Sequence, residues 1–189
     1  MKLIILDRDG VINHDRDDFV KSVDEWIPLE GSMDAIAFLT QAGYTIAVAT
    51  NQSGIGRKFF NMENLNEMHA KMHRLAQQAG GSIDGIWFCP HTDASNCSCR
   101  KPKPGMIEDI ITRFNANAAN TWMVGDSLRD LQAIDAAGGK PALVLSGKGK
   151  KTLSAQSDQL PDKTQIFDDL MAFSQYLVQQ NHTDSNELN

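Results

Sequence analysis

Asp7 and Asp9 stand one residue apart, directly after the apolar run Leu3-Ile4-Ile5-Leu6 and directly before Gly10. Two carboxylates this close repel each other unless positive charge lies between them. Other chemistry-bearing groups follow other apolar runs. Thr50-Asn51-Gln52-Ser53-Gly54 comes after TIAVA (residues 45–49), Arg100-Lys101-Pro102-Lys103-Pro104-Gly105 leads into a helical pattern, and Gly125-Asp126-Ser127-Leu128-Arg129-Asp130 comes after residues 122–124. Three aspartates at one place can hold a hard divalent cation such as Mg²⁺ through oxygen. A hydroxyl, an amide and a lysine beside them are donors suited to phosphate oxygens. One carboxylate can then attack phosphorus while the other handles the proton. Singly, each group has a plainer reading: Asp126 as a helix cap, TNQSG as a turn, KPKPG as a stiff exposed connection.

Cys89, His91, Cys97 and Cys99 follow the pattern C-x-H-x5-C-x-C. An odd cysteine count argues against a disulfide framework and for a metal. Three thiols and an imidazole form a closed set suited to tetrahedral Zn²⁺, which folds the loop rather than catalysing. Three buried thiols and a surface histidine would be the alternative. The segment is rich in Ser, Asn, Asp and Thr and offers little core for them.

These groups need elements to position them. Strand patterns fall at residues 3–6, 45–49, 86–88, 122–124, 142–145 and 165–167. Helical patterns run from Ser32 as a cap to Gly43, from Leu65 to Ala79 with Gly80-Gly81 as the stop, from Pro104 through Phe114, and along Leu128/Leu131/Ile134 and Leu170/Phe173/Leu177. Strands alternating with helices predict an α/β fold, a doubly wound, Rossmann-like parallel sheet covered on both faces. Such sheets bind ligands at the carboxyl ends of their strands, where the aspartates and the TNQSG segment fall. Residues 1–179 read as one domain, and the polar stretch 180–189 as a disordered tail.

The 189 residues carry 41% hydrophobic and 22% charged side chains, enough for one core. A net charge of −6 excludes a general nucleic-acid or anionic-membrane surface. No apolar run approaches the roughly 20 residues of a membrane span, and the N-terminus lacks the pattern of a signal peptide, so a cytoplasmic location is expected. No apolar stripe is left over, and a monomer is expected. His14, His69, His73 and His182 carry no signal; His69 and His73, one turn apart, are expected on a solvated helix face.

With DRDG, the threonine after the second strand, the lysine of RKPKPG and GDSLRD in this order, residues 1 to about 147 resemble a haloacid-dehalogenase-type phosphatase. The resemblance implies that Asp7 is the nucleophile forming an aspartyl-phosphate and that Asp9 protonates the leaving oxygen and later activates water. It implies that Thr50 and Lys101 hold the transferring phosphoryl group, and that Asp7, the Asp9 carbonyl and Asp126 hold Mg²⁺. Lys103 competes with Lys101; the family's Lys-Pro order favours Lys101. Asp130 is a weaker candidate. The zinc loop narrows the resemblance to members without a cap domain that act on sugar bisphosphates or on histidinol phosphate. For a small-molecule sugar bisphosphate it implies binding by Asp15, Arg16, Asp17 and Asp18, by Asn51, Gln52 and Ser53 beside Thr50, and by Arg100 beside Lys101. Ser127 stands where some relatives have a lysine. From another class, a receiver-type module that stores phosphate on aspartate would share the parallel α/β fold.

Overall fold

The described residues of the computed structural model are 1–186 for the backbone and 1–180 for the side chains. The apolar runs form six strands: β1 (Leu3–Leu6), β2 (Thr45–Asn51), β3 (Gly85–Cys89), β4 (Trp122–Gly125), β5 (Lys140–Val144) and β6 (Gln165–Phe167). They align in the order β3-β2-β1-β4-β5-β6, with every pair parallel. Alternation along a strand sends successive side chains to opposite faces. In β1, Ile4 and Leu6 join one core and Leu3 and Ile5 the other.

The first face is covered by α1 (Ser32–Gln41), α3 (Met62–Gln78) and α7 (Leu170–Asn186). Leu65, Met68 and Met72 line the buried stripe of α3, which makes its methionines core. The second face is covered by α4 (Gly105–Arg113) and α5 (Leu128–Ala136) through Met106, Ile107, Ile110, Ala133 and Ile134. A short α2 (Ser53–Gly56) follows β2, and α6 (Gly149–Gln156) follows β5. The connections 7–31 and 90–104 hold only turns, bridges and one 3₁₀ turn, so neither forms a cap domain. No helix among the described residues is long and apolar enough to cross a membrane.

Several boundaries differ from the sequence pattern. β2 runs on to Asn51 and β3 to Cys89 because Thr50 pairs with Phe88 and Asn51 with Cys89. Thr50 and Asn51 are therefore strand residues, not loop. β5 begins at Lys140, opposite Trp122, and ends at Val144. Ser32 is not a cap. Gly31, at φ +75°, takes that position, while the Ser32 hydroxyl lies 2.7 Å from the Ile12 carbonyl and 2.8 Å from that of Leu29. α6 buries only Gly149 and Thr152, so it has no apolar period to read. The expectation of a disordered tail over 180–189 falls largely outside the described side chains; the backbone of α7 continues to Asn186.

Winding from β1 through β2 to β3, the chain then returns to the far side of β1 as β4. The connections leaving β1 and β4 diverge and leave a crevice at their carboxyl ends. Asp7 and Asp126 are the residues just past those ends. The Asp7 N–H donates to the Val124 carbonyl at 2.9 Å.

Candidate active site

A cleft of about 250 Å³ opens at this crevice, lined by Asp7, Asp9, Asp126, Thr50 and Lys101. Lys101 supplies positive charge to Asp7, and Arg8 supplies it to the other paired aspartate, Asp9. Only 1% of its side chain is exposed, and its ammonium lies 3.0 Å from Asp7 Oδ1 and 2.6 Å from Asp130 Oδ1. It also donates to the Ala49 carbonyl at 2.7 Å. The Asn51 amide clasps the Lys101 main chain, accepting from its N–H at 3.1 Å and donating to its carbonyl at 3.0 Å. Lys103 points away, and its ammonium donates to the Asn96 carbonyl at 3.2 Å.

Asp7 Oδ1 accepts from the Arg8 N–H at 2.8 Å in addition to Lys101, while Oδ2 accepts no hydrogen bond among the described residues. Burial first, then the neighbouring charge of Asp130, pushes the Asp7 carboxyl up to about 7. Asp126 is held by the first turn of α6: its Oδ2 accepts from the Lys148 N–H at 2.7 Å and its carbonyl from the Thr152 hydroxyl at 2.9 Å. Burial first, then Asp130 and Asp7, pushes Asp126 up to about 8. Gly10, at φ +87°, and Gly147, at φ +54°, pack on this carboxylate, and a Cβ on either would collide with it.

Asp130 has both oxygens engaged, Oδ1 by Lys101 and Oδ2 by Ser127 at the start of α5, whose N–H lies at 3.1 Å and hydroxyl at 2.7 Å. Burial raises its carboxyl, but Lys101 and Arg129 outweigh this and hold it below the usual carboxylate range. Ser127 thus orients Asp130. One oxygen each of Asp7, Asp126 and Asp130 lies within 4.8 Å of the other two. This hard-oxygen set, with Asp7 and Asp126 disfavouring their own ionisation, fits a divalent cation of the Mg²⁺ kind.

Asp9 faces the cleft under three donating side chains. Arg8 reaches its Oδ1 at 3.0 Å and Oδ2 at 3.1 Å. Asn13 donates to Oδ1 at 2.9 Å, and Gln52 donates to Oδ2 and to the Thr50 hydroxyl, both at 2.8 Å. Burial pushes the Asp9 carboxyl up, but Arg8, Asn13 and Gln52 outweigh it and hold it below the usual range.

Of the expected substrate contacts, Asp15, Arg16, Asp17, Asn51, Gln52, Ser53 and Arg100 line the cleft. Asp18 does not; it is exposed and paired with Arg16 at 2.9 Å and Lys21 at 2.7 Å. The Arg100 Nε pairs with Asp93, and its Nη1 donates to the His91 carbonyl at 3.3 Å. Sequence reasoning passed over Arg57, Arg129 and Lys148, which line the same cleft. Arg129 sits inside the GDSLRD motif, and Lys148 follows β5, so reading every strand end would have found both. His69 is buried rather than solvated, with Nε2 3.4 Å from Arg8 Nη1.

The second donor set comes together as the spacing predicts. Cys89 Sγ lies 3.6 Å from Cys97 Sγ and 3.2 Å from Cys99 Sγ, and the latter two are 3.5 Å apart. His91 Nδ1 lies 3.6 Å from Cys89 Sγ and 3.4 Å from Cys99 Sγ. Zinc–sulfur bonds of about 2.3 Å in a tetrahedron require sulfurs roughly 3.8 Å apart, so the cluster fits Zn²⁺ with a small expansion. It adjoins the cleft, because Cys89 ends β3 opposite Asn51 and Cys99 precedes Arg100.

Comparison with known proteins agrees with this geometry. The D-glycero-beta-D-manno-heptose-1,7-bisphosphate 7-phosphatase of Neisseria meningitidis serogroup B is 80% identical over 181 residues, covering 96% of this chain and 97% of the relative. The enzyme of that name from Bordetella bronchiseptica is 53% identical over 180 residues, covering 95% and 99%. A crystal structure of D,D-heptose 1,7-bisphosphate phosphatase from B. bronchiseptica, complexed with magnesium and phosphate, superposes with a TM-score of 0.93 at 53% identity, covering 95% of this chain and 99% of that one. A model of the haloacid dehalogenase-like hydrolases matches residues 6–138, and the chain belongs to that family.

Proposed function

We propose that this chain removes the 7-phosphate of D-glycero-D-manno-heptose 1,7-bisphosphate, through an aspartyl-phosphate and with Mg²⁺. The resemblance places that step in the supply of ADP-heptose for lipopolysaccharide core. One observation carries the chemistry: a carboxylate oxygen of Asp7 that accepts no hydrogen bond among the described residues, beside buried Lys101 and facing Asp126 across the β1–β4 crevice. The 80% identity to enzymes of that name supports the substrate.

In this reading Asp7 Oδ2 attacks phosphorus while Asp9, kept ionised in the free site by Arg8, Asn13 and Gln52, passes a proton from the substrate's phosphate monoanion to the departing sugar oxygen. Asp9 then takes a proton from water, the water oxygen bonds to phosphorus, and Asp7 is released. Thr50 and Lys101 hold the phosphoryl oxygens. A magnesium ion held by Asp7, the Asp9 carbonyl and Asp126 would supply positive charge against the phosphoryl group. Cys89, His91, Cys97 and Cys99 would hold a structural zinc that shapes the loop before Arg100. Arg57, Arg100 and Arg129 in the cleft favour a second anionic group over the cationic amine of histidinol phosphate. The receiver-type reading falls with membership of a hydrolase family. We take the working unit to be a cytoplasmic monomer.

The test is phosphate release with Mg²⁺ from heptose 1,7-bisphosphate, fructose 1,6-bisphosphate and histidinol phosphate. The heptose is expected to be preferred strongly. Preference for histidinol phosphate would keep Asp7, Asp9 and Asp126 in place and overturn the substrate.

A further inference from the structure

Arg8 has no part in the chemistry above, yet it is fully buried inside the motif that carries it. Asp7 and Asp9 face the cleft, and Arg8, at a bend past the end of β1, does not. Its guanidinium nevertheless curls back to its neighbour. Nη2 lies 3.0 and 3.1 Å from the two oxygens of Asp9, and Nε lies 3.3 Å from Oδ1. On the other side Nη1 meets His69 Nε2 at 3.4 Å. His69 comes from α3, a different layer of the molecule, and its ring lies 6.3 Å from that of Phe88. Burial first, then the Arg8 charge, pushes His69 down to about 3. The neutral ring offers Nε2 as acceptor when Nδ1 carries the hydrogen. A buried guanidinium is costly unless its donors are matched; here the matching groups are the Asp9 carboxylate and a braced imidazole.

We propose that Arg8, braced by His69, is the positioning residue of the acid/base carboxylate. Its planar fork, with Asn13 on Oδ1 and Gln52 on Oδ2, fixes the rotation of the Asp9 carboxyl group where it lines the cleft, in reach of the departing and entering oxygens. Arg8 transfers no proton. It acts through Asp9, and this rests on the acid/base role proposed for Asp9 above.

A double-mutant cycle tests it. Single-turnover phosphate release from heptose 1,7-bisphosphate is measured for Arg8→Gln, Asp9→Asn and the combined variant, with melting temperatures alongside. Since acid/base groups contribute typically 10²- to 10⁴-fold, misorienting one is expected to slow the reaction about 10- to 100-fold with KM nearly unchanged. In the Asp9→Asn background the same change is expected to cost less than about 3-fold, because residues acting as one unit are not additive. His69→Gln, whose amide oxygen can accept from Arg8, is expected to keep most of the rate, and His69→Leu to approach Arg8→Gln. These two variants and Arg8→Lys decide the case should Arg8→Gln fail to fold. Equal losses in both backgrounds, or a wild-type rate in His69→Leu, overturn the proposal. Wild-type protein that releases phosphate from no sugar bisphosphate overturns the functional reading instead.

Discussion

Replacing Lys101 by Met removes the only side-chain cation within 3.0 Å of both Asp7 and Asp130 among the described residues. The three side chains are 1%, 7% and 0% exposed, so water cannot take over the role of the ammonium. Breaking a buried pair costs about 3–5 kcal/mol. The lower end applies here, because Asp7 is already pushed up to about 7 and can accept a proton once Lys101 is gone. For a chain of this size about 3 kcal/mol corresponds to a melting temperature lower by about 6–12 °C. Saturating Mg²⁺ is expected to recover part of that loss. Turnover should fall about 10²- to 10³-fold, the usual effect of deleting a group that stabilises developing charge. Lys103→Met is the control: its ammonium reaches Asn96, and the change should stay within about 0.5 kcal/mol. Calorimetry with and without Mg²⁺ and a phosphate-release assay read both effects. A Lys101→Met protein that melts within 2 °C of the wild type and keeps its turnover would refute the assignment of Lys101, and equal effects at Lys103 would refute the geometric argument.

Asp7→Asn is expected to abolish turnover while leaving the fold intact by circular dichroism; appreciable residual activity would sink the aspartyl-phosphate route. A zinc-loaded, magnesium-free protein should lose stability as pH rises from about 6.5 to about 8. The folded state then binds more protons than the unfolded one, since Asp7 and Asp126 are pushed up to about 7 and about 8. His69, pushed down to about 3, acts in the opposite sense but only below its unfolded value of about 6.5. Added Mg²⁺ should abolish the decline, as melting at three pH values would show. Stripping zinc with a chelator should raise KM more than it lowers kcat, because the loop ahead of Arg100 loosens while the Asn51 clasp keeps Lys101 in place; an equal fall in kcat with KM unchanged would contradict this.

The fold was legible where burial is two-sided or periodic. β1 reads as an unbroken apolar run because both its faces are covered, and α3 reads from its 3-4 spacing. α6 was not legible, since it buries little and serves chiefly to hold Asp126. The strand-end rule points to Asp7, Asp126 and the cysteine cluster from the sequence alone. It did not predict which side chains pair with one another. Asp18 shares a run of acidic residues with Asp15 and Asp17, yet it turns outward to Arg16 and Lys21. Arg100 lines the cleft while tied to Asp93. Arg8 and His69 are 61 residues apart, and their contact depends on how α3 packs against the sheet, which no local pattern encodes.

β1 lies at the centre of the sheet, with two strands on one side and three on the other, and it is fully buried. Amide hydrogen exchange in such an element occurs only through the opening of the whole domain, whereas loops exchange through small local fluctuations. Asp7 therefore continues a segment that is among the last to open, and Arg100 sits on one among the first. The bond-making centre inherits the global stability of the protein, and the selection of what enters the cleft inherits that of a metal-stapled loop. Sequence drift that weakens the loop would broaden the range of phosphate esters admitted long before it dulled the nucleophile.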